Sequence, residues 1–476
     1  MRVEPASWAA QRVAVERPQQ SVEAEARRAL HICNVCGYCN GLCPLFDAAK
    51  RRPLLAAGDL DQLAHLCHHC RSCFYACQYA PPHPFALNLP RALARRRADS
   101  YLTHAWPRPL ARLFANPHRA ALLASLITTL PLLALVLSSV PIEHLWAVHQ
   151  GPGAFYRVLP WGWMVLLASL TLGWSLLALG MGLRRFWRAS APVPSPSPPF
   201  QRQTPPEPRS QRPTQLEPEL QAQPELQAQP ELQPQPELQA QPELQAQPEL
   251  QAQTELQAQT ELQPRPELQP WPEPQQSRGQ RPRFRALTTA LAEALALRHL
   301  QGGGPGCADL DASPSRWRRR WHHALFYGVL LSFAATLAAT LYHHLLGRLA
   351  PYPLWSAPVL LGTVGGLLML VGVMGLGWLG ARADPQPNAP ETQAANQALL
   401  WLLGAIALSG LLLLLWRETA AMPLLLILHL GLVLALFLLL PYSKLVHGPY
   451  RLAALWRDAL ERRAREQDAQ SSPRPS

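Results

Sequence analysis

The chain contains no C-x-x-C-H, no Walker A sequence and no G-x-G-x-x-G behind a strand pattern. These absences argue against covalent c-type haem and leave no fingerprint for a nucleotide, flavin or nicotinamide, so no substrate-oxidising or other catalytic site is expected. The glycine-rich run Gly302-Gly303-Gly304-Pro305-Gly306-Cys307 has cysteine at the third glycine position and neither the lysine nor the hydroxyl residue of a phosphate loop. It reads as a turn, with Cys307 structural. The opening MRVEPASWAAQRVAVERP has no apolar core, so no cleavable secretory signal is expected there. Charged residues make up only 16% of the chain, with a net charge of +12. The basic residues sit in clusters that flank apolar stretches, which points to membrane topology rather than nucleic acid.

Cysteine is where the chain is specific. Eight of its nine cysteines fall in two runs, Cys33-x2-Cys36-x2-Cys39-x3-Cys43-Pro44 and Cys67-x2-Cys70-x2-Cys73-x3-Cys77. This is the ligand spacing of a domain holding two [4Fe-4S] clusters, in which the last cysteine of each run serves the other cluster. By that rule Cys33, Cys36, Cys39 and Cys77 hold one cluster, and Cys67, Cys70, Cys73 and Cys43 the second. A disulfide framework is disfavoured in a reducing compartment, and zinc normally takes two-plus-two spacing. Gln78 replaces the proline expected after the second run, at a position that is not a ligand. His68, His69 and His83 read as exposed loop positions. Leu54, Leu55, Leu60, Leu63 and Leu66 suggest one helix over 45–66 between the runs, favouring an all-helical ferredoxin-like domain over a β-rich one.

Six further segments are apolar and about 20 residues long, enough to cross a hydrocarbon core of about 30 Å. They are read as 119–140, 158–183, 324–346, 357–381, 397–416 and 421–441. Arginines precede the first span (Arg91, Arg95, Arg96, Arg97), follow the second (Arg184, Arg185, Arg188), precede the third (Arg316, Arg318, Arg319, Arg320) and follow the sixth (Arg451, Arg457, Arg462, Arg463). With six crossings all four groups fall on one side, which the positive-inside rule makes the cytoplasm. The expected protein is therefore a multi-pass protein of the cytoplasmic (inner) membrane, with the cysteine domain and both termini cytoplasmic. The expected architecture is all-α: a helical two-[4Fe-4S] ferredoxin-like domain (1–115), followed by a six-span, cytochrome b-like helical bundle. The bundle divides into two helices (116–190), a Pro/Gln/Glu-rich disordered linker (191–283), a connecting segment (284–323), four helices (324–450) and a basic tail (451–476).

Within the linker a hexapeptide close to Pro-Glu-Leu-Gln-Ala-Gln recurs from Pro218 to Pro266. A six-residue period scatters its leucines around an α-helix, and the prolines oppose the helix as well, so an extended, polyproline-like spacer is expected.

Histidines at membrane depth require a partner, because a polar ring is costly in lipid. His322 and His323 stand at the inner end of the third span, and His343 and His344 at its outer end. His429 lies in the outer half of the sixth, and His447 lies just past its inner end. The separations along the two antiparallel helices match, about 30 Å and about 27 Å at a rise of 1.5 Å per residue. Two bis-histidine sites for b-type haem (one or two haems) follow: His343 or His344 with His429, and His322 or His323 with His447. The alternative for either site is a border of a quinone pocket in place of a haem.

Taken together, these motifs resemble the tricarballylate/citrate utilisation protein B family. The likeness is carried by Cys33-Asn34-Val35-Cys36-Gly37-Tyr38-Cys39, Cys67-His68-His69-Cys70-Arg71-Ser72-Cys73, Gln78-Tyr79-Ala80-Pro81-Pro82-His83, His322-His323-Ala324-Leu325-Phe326-Tyr327-Gly328, Ala339-Thr340-Leu341-Tyr342-His343 and Pro441-Tyr442-Ser443-Lys444-Leu445-Val446-His447-Gly448. It covers most of 25–190 and 284–465. The resemblance implies a membrane partner of an FAD-dependent dehydrogenase, tricarballylate dehydrogenase-like, whose reduced flavin it reoxidises through clusters and haem into membrane quinone. The alternatives are a redox-sensing or anchoring iron-sulfur membrane protein, or a heterodisulfide-reductase-like respiratory subunit with another donor.

Overall fold

The computed structural model describes residues 21–192, 280–301 and 306–471. The repeat tract from Pro218 to Pro266 and the run Gly302-Gly303-Gly304 lie outside the described residues. The cysteine-bearing domain comprises α1 (Val22–Cys36), α2 (Pro44–Lys50), α3 (Ala57–Leu66), α4 (Ser72–Tyr75), α5 (Leu89–His104) and α6 (Arg108–Leu113). Helix α1 begins where the Ser21 hydroxyl accepts the Ala24 N–H at 3.2 Å, with Glu23 and Glu25 complementing the helix dipole in the first turn. The single helix expected over 45–66 is two helices. Pro53 interrupts the ladder between them, and Leu55 takes a left-handed φ of 45° that turns the chain while keeping its side chain fully buried.

The chain continues through α7 (Pro117–Ser139), α8 (Ala154–Val158), α9 (Trp161–Ala189) and α10 (Gln280–Leu295). Then come α11 (Trp317–Leu346), α12 (Ala357–Arg382), α13 (Gln393–Leu415), α14 (Met422–Leu439) and α15 (His447–Ser471). Six of these, α7, α9, α11, α12, α13 and α14, are long and apolar enough to cross a bilayer. Large apolar side chains on them, among them Leu170, Leu337, Met374 and Trp401, are mostly exposed, as lipid-facing residues are. The third helix starts seven residues before the expected 324, which brings His322 and His323 inside it. Apart from an isolated bridge between Cys307 and Ser315, the described residues form no β structure.

Small residues let the spans approach closely. At Gly372 of α12 a Cβ would stand 2.5 Å from the Leu325 nitrogen of α11, and at Gly328 of α11 it would stand 2.7 Å from the Met369 nitrogen. Helix α14 packs on α7, where Thr128 Oγ1 donates to the Gly431 carbonyl at 2.7 Å.

The cysteine domain docks on one end of this bundle. Its core of Ala26, Leu30, Leu60, Leu63 and Leu93 is continuous with Phe186 of α9, Ala290 of α10 and Tyr450, Ala454 and Leu455 of α15. The segment read as a basic tail is thus a helix that walls the first domain. Buried polar bonds pin the joint: Gln62 Nε2 donates to the Ala454 carbonyl at 2.8 Å, and Arg52 bonds Asp59 (2.7 Å), the Ser190 carbonyl (3.0 Å) and Glu461.

Candidate cofactor sites

At the end of α1, Gly37 adopts φ 66°, a conformation open to glycine, and its N–H returns to the Cys33 carbonyl at 2.9 Å. The chain reverses there and brings Cys39 back beside Cys33 and Cys36. One cleft is lined by these three together with Cys77, and Cys73, Tyr38, Phe46 and Gln78 stand around them. Gln78 directs its amide at the Cys36 sulfur, 3.9 Å away. Burial, then the neighbouring Cys39, Cys77 and Cys36 thiols, push Cys33 up to about 12.

The remaining four cysteines gather separately. Burial pushes Cys43 up to about 12, with Cys67 and Cys70 adding to the effect and the N–H groups of Leu45 and Phe46 at the start of α2 opposing it. Cys73 is raised by burial and by Cys70, Cys67 and Cys43. Thiols crowded in this way repel one another as thiolates until a cationic centre offsets their charge, which is the chemistry of an iron-sulfur donor set. No group of three or more His, Cys, Asp and Glu among the described residues is spaced for a single metal ion. The wider spread of a four-iron cluster is a different requirement.

The second set is held against the bundle. His69 and Arg71 carry positive φ values of 57° and 67°, unusual for such residues, and both are fixed by Asn388 between α12 and α13. Asn388 Oδ1 lies 3.1 Å from His69 Nε2 and 2.8 Å from Arg71 Nη2, while His69 Nδ1 lies 3.2 Å from the Pro90 carbonyl. The His69 N–H also points at the Cys67 sulfur, 3.4 Å away. His68 and His69 are therefore not the exposed loop residues expected from sequence: His68 accepts from Arg451 and packs 5.0 Å from the His299 ring. His83 caps a turn, its Nδ1 accepting the Phe85 N–H at 3.0 Å. Cys307 sits beside this set, because the Ala308 N–H donates to the Cys70 carbonyl at 2.9 Å.

Two arginines link the second cysteine set to the bundle histidines. Arg318 Nη1 donates to the His69 carbonyl at 2.6 Å, and His322 follows it by one turn of α11. Arg451 donates to the Leu66 and Cys67 carbonyls at 3.3 and 3.4 Å, and His447 precedes it by one turn of α15. The planes of the His322 and His447 rings stand at 83° to one another, with centroids 6.1 Å apart. Two imidazoles bound to one iron at about 2 Å each would have centroids about 6.3 Å apart. His447 Nδ1 donates to the Lys444 carbonyl at 2.6 Å, which leaves Nε2 as the free ligand atom. Burial, helped by His322 and Lys444, pushes His447 down to about 3, which favours the neutral ring. His322 Nδ1 is buried without a hydrogen-bond partner. This pair fits an iron porphyrin. His323 turns elsewhere, its ring against Tyr327 at 5.7 Å.

At the opposite end His343 and His344 have different neighbours from His429. His343 stacks on Trp161 (4.9 Å, 8°), with the Tyr156 hydroxyl 3.4 Å from its Nδ1, and His344 meets Trp161 edge-on at 5.0 Å. His429 instead faces α13, its Nδ1 3.0 Å from Ser409 Oγ and its Cε1 2.9 Å from where a Cβ on Gly410 would be. Sequence reasoning used Arg318 and Arg451 for topology alone and missed that they and Lys444 stand close to the inner pair.

The family described as Citrate utilization protein B matches residues 115–204 and 270–468, and its Fer4-like domain matches residues 26–103. Citrate utilization protein B of Escherichia coli is 32% identical over 449 residues, covering 94% of each chain. No solved structure matches the chain. An all-helical cysteine domain docked on six apolar helices, matched along nearly its whole length, belongs to the citrate utilisation protein B family, whose amino-terminal part is a Fer4-like iron-sulfur domain.

Proposed function

We propose that this chain reoxidises the reduced flavin of a partner dehydrogenase of the tricarballylate dehydrogenase type and delivers the electrons, through two [4Fe-4S] clusters and b-type haem, to membrane quinone. The observation that carries this reading is the bonded continuity from the second cysteine set to the His322–His447 pair, through Arg318 and Arg451. When bound, the clusters and haem supply one-electron carriers into which a two-electron flavin is discharged stepwise. Cys33, Cys36, Cys39 and Cys77 would hold one cluster, and Cys43, Cys67, Cys70 and Cys73 the other. His322 and His447 would hold a haem between α11 and α15. Val35 and Tyr38, 89% and 73% exposed, flank the first set on the side open to a soluble donor. The basic ends of the helices gather at the cysteine-domain end, which by the positive-inside rule faces the cytoplasm of the inner membrane.

The test is optical and EPR spectroscopy of the purified protein, reduced by a candidate flavin subunit and reoxidised by a quinone analogue. His447→Leu and His322→Leu are expected to remove the haem Soret band assigned to this pair while keeping the cluster signals, and His429→Ala to leave that band in place. Absence of any Soret band in the unaltered protein overturns the haem part alone. Loss of the band in His429→Ala but not in His447→Leu overturns the ligand assignment.

A further inference from the structure

The connection 383–392, which joins α12 to α13, is tied along α4 and α5 of the cysteine domain. The Tyr75 hydroxyl bonds the Asp384 carboxylate, Asn88 Nδ2 donates to the Gln386 carbonyl at 2.8 Å, and Arg95 Nε donates to Glu391 Oε1 at 3.0 Å. Asn388 stands among these ties, with Pro387 and Ala389 buried on either side of it. Its Nδ2 donates to the Asp384 carbonyl at 2.8 Å, which fixes the amide so that Oδ1 faces His69 Nε2 and Arg71 Nη2, 3.1 and 2.8 Å away. One oxygen from the bundle therefore braces both left-handed residues of loop 67–73.

The two cysteine runs share one register, and Arg71 stands where the first run has Gly37. Both positions take the same turn, φ 67° and 66°. Glycine adopts that conformation freely, whereas arginine and histidine are held in it against a steric penalty. The turns in the second run accompany bonds to the ligands. The His69 N–H points at the Cys67 sulfur, 3.4 Å away, and the N–H of Ser72, next after Arg71, bonds Cys70. Hydrogen bonds to ligand sulfur draw electron density from it and favour the reduced state of an iron-sulfur centre, which raises its potential.

We propose that Asn388 is a positioning residue for the second cysteine set: by bracing His69 and Arg71 from the bundle, it keeps the N–H groups of loop 67–73 on the ligand sulfurs and so raises the potential of the cluster bound there. This rests on the cluster reading above. The first run, turned at Gly37, needs no such brace, so the effect falls on one cluster of the two.

The test is EPR-monitored redox titration and ENDOR of the purified protein, with the second cluster identified as the signal that Cys70→Ser removes. Asn388→Leu is close in shape and lacks the acceptor. It is expected to shift the second midpoint to lower potential, to leave the first in place, and to remove an exchangeable-proton coupling from the second signal. Asn388→Asp keeps an oxygen toward both donors and is expected to keep that coupling. Adding His69→Gly to Asn388→Leu relieves the strained φ and is expected to return the coupling and most of the midpoint shift. A second midpoint or coupling unchanged in Asn388→Leu, or two midpoints shifted alike, overturns the brace and leaves the clusters standing. A second signal lost in Asn388→Leu and not returned by His69→Gly assigns Asn388 to folding at large and overturns it too. Absence of a second cluster signal from the unaltered protein overturns the two-cluster reading itself.

Discussion

Arg52→Met removes one guanidinium that ties three distant parts of the chain together. Arg52 Nη1 donates to Asp59 of α3 at 2.7 Å and to the Ser190 carbonyl beyond α9 at 3.0 Å, and Nη2 donates to Glu461 of α15. Its side chain is 1% exposed, that of Asp59 3% and that of Glu461 16%. Removing one partner of a buried ion pair costs about 3–5 kcal/mol, because the remaining charge is stranded. Glu461 keeps Arg51 at 3.8 Å and some water, so the expected loss is at the low end, about 3 kcal/mol. Methionine retains much of the stem volume, so lost packing contributes little. The assay is urea unfolding of the detergent-solubilised protein, followed by bleaching of the iron-sulfur absorbance. Adding Asp59→Asn neutralises the stranded carboxylate and still lets a side-chain oxygen accept the Ala56 N–H, a bond of 3.0 Å to Oδ2 in the unaltered protein, so the double variant should recover about 1–2 kcal/mol. A single-variant loss below about 1 kcal/mol, or a double variant weaker than the single, refutes the electrostatic account.

Cys43→Ser is expected to disturb the EPR signal that Cys70→Ser also removes, and Cys77→Ser the one that Cys33→Ser removes; the opposite pairing in these spectra refutes the crossed ligand sets. Gly372→Val drives a side chain into Leu325, whose nitrogen lies 2.5 Å from the Cβ position, and should cost about 1–3 kcal/mol while broadening the haem band, because His322 stands one turn away. Unchanged thermal stability shows that the two helices have room to part. The hydrogen bond from His299 holds Glu293 below the ordinary carboxylate value of 4.5, despite the opposing effect of burial. A depressed folded pKa gives stability that is present above the unfolded value and lost as pH falls through the folded one. Glu293→Gln should therefore lower stability at pH 7 and flatten its decline below about 4.5, and an unchanged acid-unfolding profile contradicts this.

The cysteine runs, the six apolar spans and their common basic end were legible because each rests on local spacing or composition. Span limits moved by a few residues, most at α11, where Trp317 to Trp321 continue the helix into a basic stretch that reads as a flank. Pro53 was a visible breaker inside the expected 45–66 helix, but the leucine periodicity on both sides masked it. The histidines were found by depth along the helix, which sequence supplies. Their facing was not, because rotation about the axis is set by packing partners such as Gly372 for α11 and Gly410 for α14. His322 meets His447 while His323 turns to Tyr327, a choice that one residue of spacing leaves open.

The helix that begins at His447 also sets a timetable for biosynthesis. Gln62 bonds a carbonyl 392 residues downstream, and Tyr450, Ala454 and Leu455 complete a core begun by Ala26 and Leu30. A ribosome releases both cysteine runs long before it makes that wall, so through most of translation the first domain is a half-closed shell with its apolar side uncovered. The helix that begins at His447 closes the cysteine domain and brings His447 into line with His322 in a single step.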